Sequence, residues 1–385
     1  MSSSVKFVAC FVAVLCPLMM AQDAAQAGAS MSKTSNSPVA YVYVSSSPRG
    51  NKFQINGYST ASNGALTAVA GSPFVESGAY MASNGKWFFS TDTVKIYSFS
   101  IASNGALKRV STINAQELNG YSNGGPVSLF LDRTGSTLYD EDIYGNEEAN
   151  NTYQFFDINQ LIGALSYAGA TSVATPEFET PLSFIANNDY AYGASCYHSY
   201  ITIYGFSRAS DGVLADLNLN PTIPAASQGA YCPYLAAADP TGHVAITLTP
   251  TDEFTVLGPT QLGVFTAGAN GDLTTTNTGP DMPAVAVGTV NDISVSPSGK
   301  LIAVTGSNGL QVFHFNGANP ITKYTGVLTA DPITQAFWDN NNHLYAISQS
   351  AGELFVYTVT PTSHGQAPGS PYAITNPQDI IVLPE

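Results

Sequence analysis

The side chains best suited to acid–base chemistry in this sequence are a histidine and an arginine, at positions 198 and 49. His198 could take a proton from water as a general base, and Arg49 could hold the oxyanion that develops when water attacks a carbonyl. Glu353 and Asp379 could orient the histidine. The alternative is that all four are ordinary solvated loop residues, and the sequence alone leaves both interpretations open.

Three acidic residues and a tyrosine are candidate ligand contacts. The strand pattern described below places them on the same face as the histidine and the arginine, and they are Asp92, Asp252, Asp292 and Tyr234. This face is predicted to be an acidic rim, which would suit a small molecule, a glycan or a protein partner.

The densest group of oxygen ligands lies in the acidic stretch 140–148. Asp140, Asp142 and Glu147 resemble the start of a calcium-binding loop, because Ca²⁺ prefers several carboxylate and carbonyl oxygens. Tyr144 occupies a ligand position, however, and Asn151 stands where a bidentate glutamate belongs, so a flexible acidic loop is the alternative. Apart from this candidate Ca²⁺ site, the sequence predicts no cofactor.

The composition excludes two classes of partner. Twelve Lys and Arg against 27 Asp and Glu give a net charge of −15, and only 10% of residues are charged. Such a surface cannot neutralise a phosphate backbone, so nucleic-acid binding is not expected. An anionic membrane surface would repel it for the same reason. Hydrophobic residues make up 44% of the chain, enough for a large core.

The first 27 residues have the pattern of a secretory signal peptide. Lys6 precedes an apolar run over 7–20, and Ala25-Gln26-Ala27 supplies a cleavage pattern of small residues. The apolar run is too short to span a bilayer comfortably, although a retained membrane anchor is the alternative. We therefore expect an exported protein, periplasmic or extracellular, with a flexible linker over 28–38 and no membrane attachment after cleavage.

Cleavage at this position would leave two cysteines, Cys196 and Cys232. Two cysteines in an oxidising compartment are a candidate disulfide. The predicted loops place both on the same face of adjacent repeats, which favours the bond over two free thiols.

A repeated unit organises the rest of the chain. The clearest copies, each an apolar–aromatic segment followed by a Gly turn, lie at 55–66, 96–107, 203–214 and 262–273. Weaker copies bring the number to seven, at a mean spacing of about 50 residues. Alternating apolar and polar residues with Gly and Asn turns predict about four short strands in each copy, and no segment has a sustained helical period. The sequence thus predicts an all-β, seven-bladed β-propeller with four-stranded antiparallel blades over 39–385.

The two ends of the predicted propeller complement each other. The segment 39–44 matches the second strand of a blade, whereas 376–383 matches a missing first strand. We expect the C-terminal strand to complete the first blade and close the ring. Two stacked β-sandwich domains would be the alternative, but they offer no reason for seven copies of one motif.

The turn and core motifs resemble those of the lactonase family. The motifs are Pro-Ser-Gly-Lys-Leu-Ile-Ala-Val at 297–304, Pro-Thr-Gly-His at 240–243 and the recurring Ile-x-x-Phe/Tyr-x-x-x-x-x-Gly-x-Leu. Members of that family include seven-bladed propellers of the 6-phosphogluconolactonase and carboxymuconate-cyclase types. The resemblance covers about residues 39–383 and implies a site in the central cleft with His, Arg and carboxylate groups.

The sequence departs from this family in ways that bear on the substrate. Many relatives have a histidine before the Pro of the first hairpin turn, where this chain has Ser296 and Asp239. The whole chain contains four arginines, too few for the cationic clamp that a phosphorylated sugar lactone requires. His243 and His343 follow first-hairpin turns on the opposite face, where we expect both to be solvated.

Two functions of different classes follow from these observations. The first is a lactonase-like hydrolase acting on a small neutral or cationic lactone at the channel mouth. The second is a non-catalytic propeller that binds a glycan, a peptide or a protein on its acidic loop face. In either case we expect a monomer.

Overall fold

The chain folds into seven antiparallel sheets arranged as the blades of a propeller. A computed structural model describes residues 37–48, 50, 52–75, 78–115, 126–142, 152–172, 181–185, 187–197, 200–252 and 255–384. Within these ranges there is no α-helix, and the one helical element is a 3₁₀ turn at Gly279–Asp281. The predicted fold class is confirmed. The predicted signal peptide, and the predicted linker except for residues 37 and 38, lie outside the described residues.

The first four blades follow the chain in order. Blade 1 contains β1 (Ala40–Ser46), β2 (Gln54–Thr60), β3 (Leu66–Ala68) and the short β4 (Phe74–Val75). Blade 2 contains β5 (Tyr80–Ser83), β6 (Trp87–Thr91), β7 (Lys95–Ile101) and β8 (Leu107–Asn114). Blade 3 contains β9 (Pro126–Leu131), β10 (Thr137–Asp142), β11 (Thr152–Ile158) and β12 (Leu165–Ser172). Blade 4 contains β13 (Ser183–Phe184), β14 (Tyr190–Tyr197), β15 (Tyr200–Arg208) and β16 (Leu214–Asp216).

The remaining three blades continue the pattern. Blade 5 contains β17 (Ala230–Ala238), β18 (His243–Asp252), β19 (Thr255–Val256), β20 (Gln261–Ala267) and β21 (Leu273–Thr274). Blade 6 contains β22 (Val290–Val295), β23 (Leu301–Gly306), β24 (Gly309–Asn316) and β25 (Asn319–Val327). Blade 7 contains β26 (Gln335–Trp338), β27 (His343–Ser348), β28 (Glu353–Val359), β29 (His364–Gln366) and β30 (Tyr372–Ala373).

The last strand, β31 (Pro377–Pro384), closes the ring. It pairs antiparallel with β1 from Ala40 opposite Pro384 to Ser46 opposite Pro377, so it becomes the innermost strand of blade 1. Contacts between innermost strands of neighbouring blades join β31 to β5, β5 to β9, β13 to β17, β17 to β22, β22 to β26 and β26 to β31. The predicted closure by the C-terminal strand is therefore confirmed.

The hydrophobic core is divided among the seven interfaces between blades. Each of seven buried clusters draws its side chains from two adjacent blades, including the pair formed by blades 7 and 1. At the last of these, Tyr345 and Ile347 of blade 7 pack with Val42, Val44 and Ile380 of blade 1. A single blade leaves both of its apolar faces exposed, so the blades depend on one another for burial.

The repeated motif needs its glycine both for the turn and for close packing between blades. Gly105 has φ of +79°, and a Cβ there would lie 2.4 Å from the ring of Tyr41 in the preceding blade. Its carbonyl accepts a hydrogen bond from the Tyr43 hydroxyl at 2.6 Å. Tyr139 and Tyr192 donate in the same way to the corresponding glycine carbonyls of the next blade. The repeat thus encodes contacts between blades as well as turns.

The prediction that His343 is solvated is wrong. His343 is 1% exposed, and its Nδ1 lies 2.7 Å from Asp339 Oδ2. In the turn Asp339-Asn-Asn-Asn-His343, Asp339 Oδ1 accepts from the main-chain N–H of His343, and Asp339 Oδ2 contacts the histidine ring. The sequence pattern located the turn correctly but gave no sign that its side chains point inward.

Candidate functional site

Several residues predicted for the site lie outside the described part of the chain. These are Arg49, His198 and Glu147. Asp142 is described only as the last residue of β10. The roles assigned to these residues from the sequence stay predictions, and the site below is built from the residues that the structure describes.

At the channel wall, three side chains link the innermost strands of neighbouring blades. Each comes from the start of an innermost strand and accepts a hydrogen bond from a main-chain N–H of the next blade. The pairs are Asp292 Oδ2 with Ala336 N at 3.0 Å, Gln335 Oε1 with Ile380 N at 2.9 Å, and Asp379 Oδ2 with Met81 N at 2.6 Å. Asp292 and Asp379 therefore occupy equivalent positions, and blade 7 has a neutral amide there.

The two aspartates and a nearby glutamate have strongly raised pKa values. Burial raises the pKa of Asp379 to about 7, and the charge of Asp292 adds to this effect. Burial raises the pKa of Asp292 to about 6. Glu141, 3% exposed in β10, has a pKa of about 8 because of burial, which outweighs its hydrogen bond from Ser128. Such groups titrate where acid–base catalysts work.

Tyr80 connects these carboxyl groups electrostatically. It is the first residue of β5 and is 37% exposed. Burial raises the pKa of Tyr80, and the charges of Asp379 and Glu141 raise it further. The Tyr80 hydroxyl is therefore close enough to both carboxyl groups to interact with their charges. We call Tyr80, Glu141, Asp292 and Asp379 the axial cluster.

The sequence singled out two members of the axial cluster, Asp292 and Asp379, and missed Tyr80 and Glu141 as functional groups. Tyr80 could have been found from the repeat, because it opens an innermost strand just as the two aspartates do. Glu141 falls within the acidic stretch 140–148, but no sequence signal marks it as buried, since its burial depends on tertiary packing.

The raised pKa values predict that the protein loses stability as the pH rises. Asp379 and Glu141 have ordinary pKa values of 3.8 and 4.5 and folded values of about 7 and about 8, so the folded chain holds more protons across this window. Each such group should lower the free energy of unfolding by about 1.4 kcal/mol per pH unit within its window. Urea unfolding at a series of pH values between these limits measures the slope.

A Glu141→Gln variant is the control for this pH dependence, because it removes the group that titrates at the highest pH. Its slope above neutral pH should flatten. Asp132 and Asp239 have lowered pKa values, so they titrate below this window and leave the measurement undisturbed. A wild-type stability that is constant or rises across the window would contradict the assignment.

The other described residues predicted for the site are not members of the axial cluster. Asp92 caps its own hairpin, accepting from Lys95 N at 2.8 Å and from the Tyr97 hydroxyl at 2.6 Å. Asp252 is exposed at the end of β18. Glu353 opens β28, where its charge helps to raise the pKa of Tyr357 after burial and Asp331. Asp140 is fully buried in β10.

In the ranges described, no three or more His, Cys, Asp or Glu side chains form a group that could hold a metal ion. Most of the acidic stretch predicted to bind Ca²⁺ falls outside these ranges. Calcium binding by Asp140, Asp142 and Glu147 therefore stays a prediction.

A disulfide joins blades 4 and 5 on the face that carries the loops between second and third strands. It links Cys196 of β14 to Cys232 of β17, with 5.3 Å between their Cα atoms. Next to Cys232, a cavity of about 950 Å³ extends between blades 5 and 6, and Tyr234 lines it. Asp292 lines a second cavity of about 600 Å³ in the channel, together with Arg133 and Phe337.

The arginines that the structure describes are engaged in the fold. Arg208 forms a buried ion pair with Asp132 at 2.8 Å. Arg133 donates to the main-chain carbonyls of Phe184 and Asp239, both at 2.9 Å. Arg109 lies over the ring of Tyr97. These arginines serve structural contacts, and the axial cluster is acidic.

Comparison of the structure with solved structures shows which fold this is. It is similar to a "putative 6-phosphogluconolactonase" from Bacteroides fragilis, with a TM-score of 0.67 and 13% identity over 91% of this chain and 99% of that one. A periplasmic gluconolactonase from Pseudomonas aeruginosa gives a TM-score of 0.65 and 14% identity, over 89% of this chain and 98% of that one. A "putative 6-phosphogluconolactonase" from Bacteroides uniformis gives a TM-score of 0.64 and 14% identity, over 89% of this chain and 99% of that one.

The protein thus shares the seven-bladed propeller fold of these structures over nearly its whole described length. No family model matches the sequence, and no curated protein matches it. At this level of identity the likeness concerns the fold, so the chemistry has to be argued from the residues of this chain. None of the described residues belongs to a helix with the length and hydrophobicity needed to cross a membrane.

Proposed function

We propose that this protein is an exported lactonase-like hydrolase that opens a small neutral or cationic lactone at the mouth of the central channel. The observation that carries the proposal is the axial cluster, in which burial, and for Asp379 also the charge of Asp292, brings carboxyl groups to pKa values of about 6, 7 and 8. Groups whose pKa values are separated in this way can divide the roles of acid and base between them.

Asp379 is the general base in this proposal. A carboxylate has about four lone-pair positions. Among the described residues, those of Asp379 receive the N–H groups of Met81 and Ile380 and the side chain of Gln335. One position is left for water. Asp379 would take a proton from this water while the water oxygen attacks the carbonyl carbon of the lactone. The ring C–O bond would then break, and the proton would pass from Asp379 to the leaving oxygen.

Tyr80 and Glu141 would support the charge that develops. The Tyr80 hydroxyl is partly exposed and, because its pKa is raised, stays protonated and able to donate a hydrogen bond to the oxyanion. Glu141 is neutral at pH 7 because its pKa is about 8, which limits the negative charge around the oxyanion. Its Oε1 is buried and has no hydrogen-bond partner among the described residues.

Charge supports a substrate without phosphate. The protein has a net charge of −15, and the described arginines are held in structural contacts. A phosphorylated lactone would meet repulsion from the axial cluster without a guanidinium clamp to offset it. A neutral lactone avoids this repulsion, and a cationic lactone would be attracted.

Three observations support export. They are the signal-peptide pattern of residues 1–27, the disulfide between Cys196 and Cys232, and the fold shared with a protein described as a periplasmic gluconolactonase. Disulfides persist in the periplasm and outside the cell, and they are rare in the cytosol.

The test is hydrolysis of a panel of neutral, cationic and phosphorylated lactones by residues 28–385. Asp379→Asn keeps an oxygen that can accept from Met81 N but removes the base, so we expect turnover to fall by about 10²–10⁴-fold. Thr171→Val is the matched control, because it removes another hydrogen bond between blades, from the Thr171 hydroxyl to Leu214 O, in the outermost strands of blades 3 and 4. Its turnover should match the wild type.

A panel without turnover above the buffer rate, or an Asp379→Asn variant as active as the wild type, would overturn the proposed role of the axial cluster. A His198→Ala variant tests the base predicted from the sequence. Assays with and without Ca²⁺ test Asp140, Asp142 and Glu147 in the same series. Inactivity on the whole panel would favour a binding function for the propeller.

A further inference from the structure

A cavity on the disulfide-bonded face differs in character from the axial cluster. It measures about 950 Å³, which is within the range of small-molecule sites, and it lies between blades 5 and 6. Among the described residues, no Asp, Glu, Lys, Arg or His lines it, although the chain carries a charge of −15. Hydroxyl and amide groups line it instead, from Thr247, Thr249, Thr251, Thr260, Asn291 and Tyr234.

The hydroxyl groups form an ordered row. Thr247, Thr249 and Thr251 alternate along β18, so a strand with a two-residue period turns all three toward one side. Thr249 and Thr260 hydroxyls lie 2.7 Å apart and hydrogen-bond to each other. Each hydroxyl has one proton and two lone pairs, so this pair retains acceptor positions for the hydroxyls of a ligand.

Tyr234 adds an exposed aromatic ring at the edge of this row. Its exposure of 44% follows from a bulge, because the register between β17 and β18 shifts between Pro233 and Ala236. The Thr247 hydroxyl fixes the bulge by accepting from Leu235 N at 2.9 Å. A bulge re-aims side chains, and here it leaves a large ring partly in solvent beside the disulfide at Cys232.

We propose that this cavity binds a neutral oligosaccharide. A sugar presents hydroxyls at its edges and C–H groups on its faces, which match the threonine row and the tyrosine ring respectively. The lack of charged side chains among the described lining residues and the acidity of the whole chain disfavour uronates and phosphosugars. The volume accommodates more than one sugar ring. None of the residues that line this cavity belongs to the axial cluster, so the proposal does not depend on the hydrolase proposed above.

The experiment is calorimetric titration with tetrasaccharides of glucose, xylose and N-acetylglucosamine, beside a galacturonic acid tetrasaccharide as the charged counterpart. We expect at least one neutral tetrasaccharide to bind and the charged one to bind more weakly. Tyr234→Ala should weaken binding by roughly tenfold or more, as for other aromatic anchors. Tyr234→Trp should restore it, and Thr249→Val, which keeps the shape without the hydroxyl, should weaken it severalfold.

Phe337→Ala is the matched control, because Phe337 is a similarly exposed aromatic residue that lines the channel cavity instead. Its affinity should equal that of the wild type, and thermal unfolding of every variant establishes that it is folded. The proposal is overturned if no neutral tetrasaccharide binds, if galacturonate binds as tightly, or if Tyr234→Ala and Phe337→Ala behave alike. Titration of Asp379→Asn, which should bind normally, separates this outcome from failure of the hydrolase proposal.

Discussion

A chain that lacks residues 377–385 is expected not to fold. Strand β31 contributes four aliphatic side chains that are at most 6% exposed, Ile380, Ile381, Val382 and Leu383. At about 1.5–3 kcal/mol each, their burial amounts to about 6–12 kcal/mol. The whole stability of a folded domain is about 5–15 kcal/mol, so the loss is comparable to the entire stability of the protein. Circular dichroism and a soluble-fraction assay measure the outcome.

The deletion also exposes the edge of β1, whose main chain pairs with β31 over its whole length. An unpaired edge strand promotes aggregation, so the truncated chain should be found mainly in the insoluble fraction. A truncated protein that is soluble and unfolds cooperatively near the wild-type urea midpoint would show that ring closure is dispensable.

A circular permutant gives the matched control. Pro384 lies opposite Ala40 in the antiparallel pair, so a short Asn-Gly turn can connect β31 directly to β1. The new chain would begin at Pro377 and end at Asn376. It contains the same strand with a different connection, and we expect it to fold. Together, the deletion and the permutant distinguish the need for the strand from the need for its position in the chain.

The fold could be predicted from the sequence because the same contacts recur in every blade. The motif glycines fit against aromatic rings of the preceding blade, as Gly105 does against Tyr41, and strand alternation marks the buried faces. Seven repetitions of one pattern indicate the number of blades, and the complementary ends at 39–44 and 376–383 indicate how the ring closes. These features are local and periodic, so they are visible without coordinates.

The site could be predicted only in part, because it depends on features that are not periodic. The sequence places Asp292 and Asp379 near the start of innermost strands, where the structure has them. The raised pKa of Glu141, however, comes from burial, and the exposure of Tyr234 comes from a bulge. Neither is encoded by residue type or spacing. Asp92 was placed on the correct loop, but its local hydrogen bonds occupy it in the hairpin turn.

A buried network anchored by Asp339 joins blade 7 to blade 1. The Asp339 carboxylate accepts from Asn341 N at 2.7 Å, from His343 N at 2.8 Å and from the Tyr345 hydroxyl at 2.9 Å, and it lies 2.7 Å from His343 Nδ1. The Tyr345 oxygen also lies 3.0 Å from the Thr60 hydroxyl of blade 1. Burial, followed by the charge of Asp339, raises the Tyr345 pKa, so its hydroxyl keeps its proton.

Asp339→Ala should therefore destabilise the protein by about 3–5 kcal/mol, because it leaves several buried donors without an acceptor at the interface that closes the ring. Asp339→Asn retains one acceptor oxygen, so it should destabilise the protein less than Asp339→Ala does. Urea unfolding midpoints measure both variants.

Asp239→Ala provides the comparison, since Asp239 occupies the same turn in blade 5 and its Oδ2 lies 3.0 Å from His243 Nδ1. The side chain of His243 is 19% exposed, whereas that of His343 is 1% exposed. Water can therefore replace some of the hydrogen bonds that Asp239 accepts. Asp239→Ala should consequently lower the free energy of unfolding less than Asp339→Ala does. Equal losses would mean that the turn alone, and not the contact between blades 7 and 1, accounts for the stabilisation by Asp339.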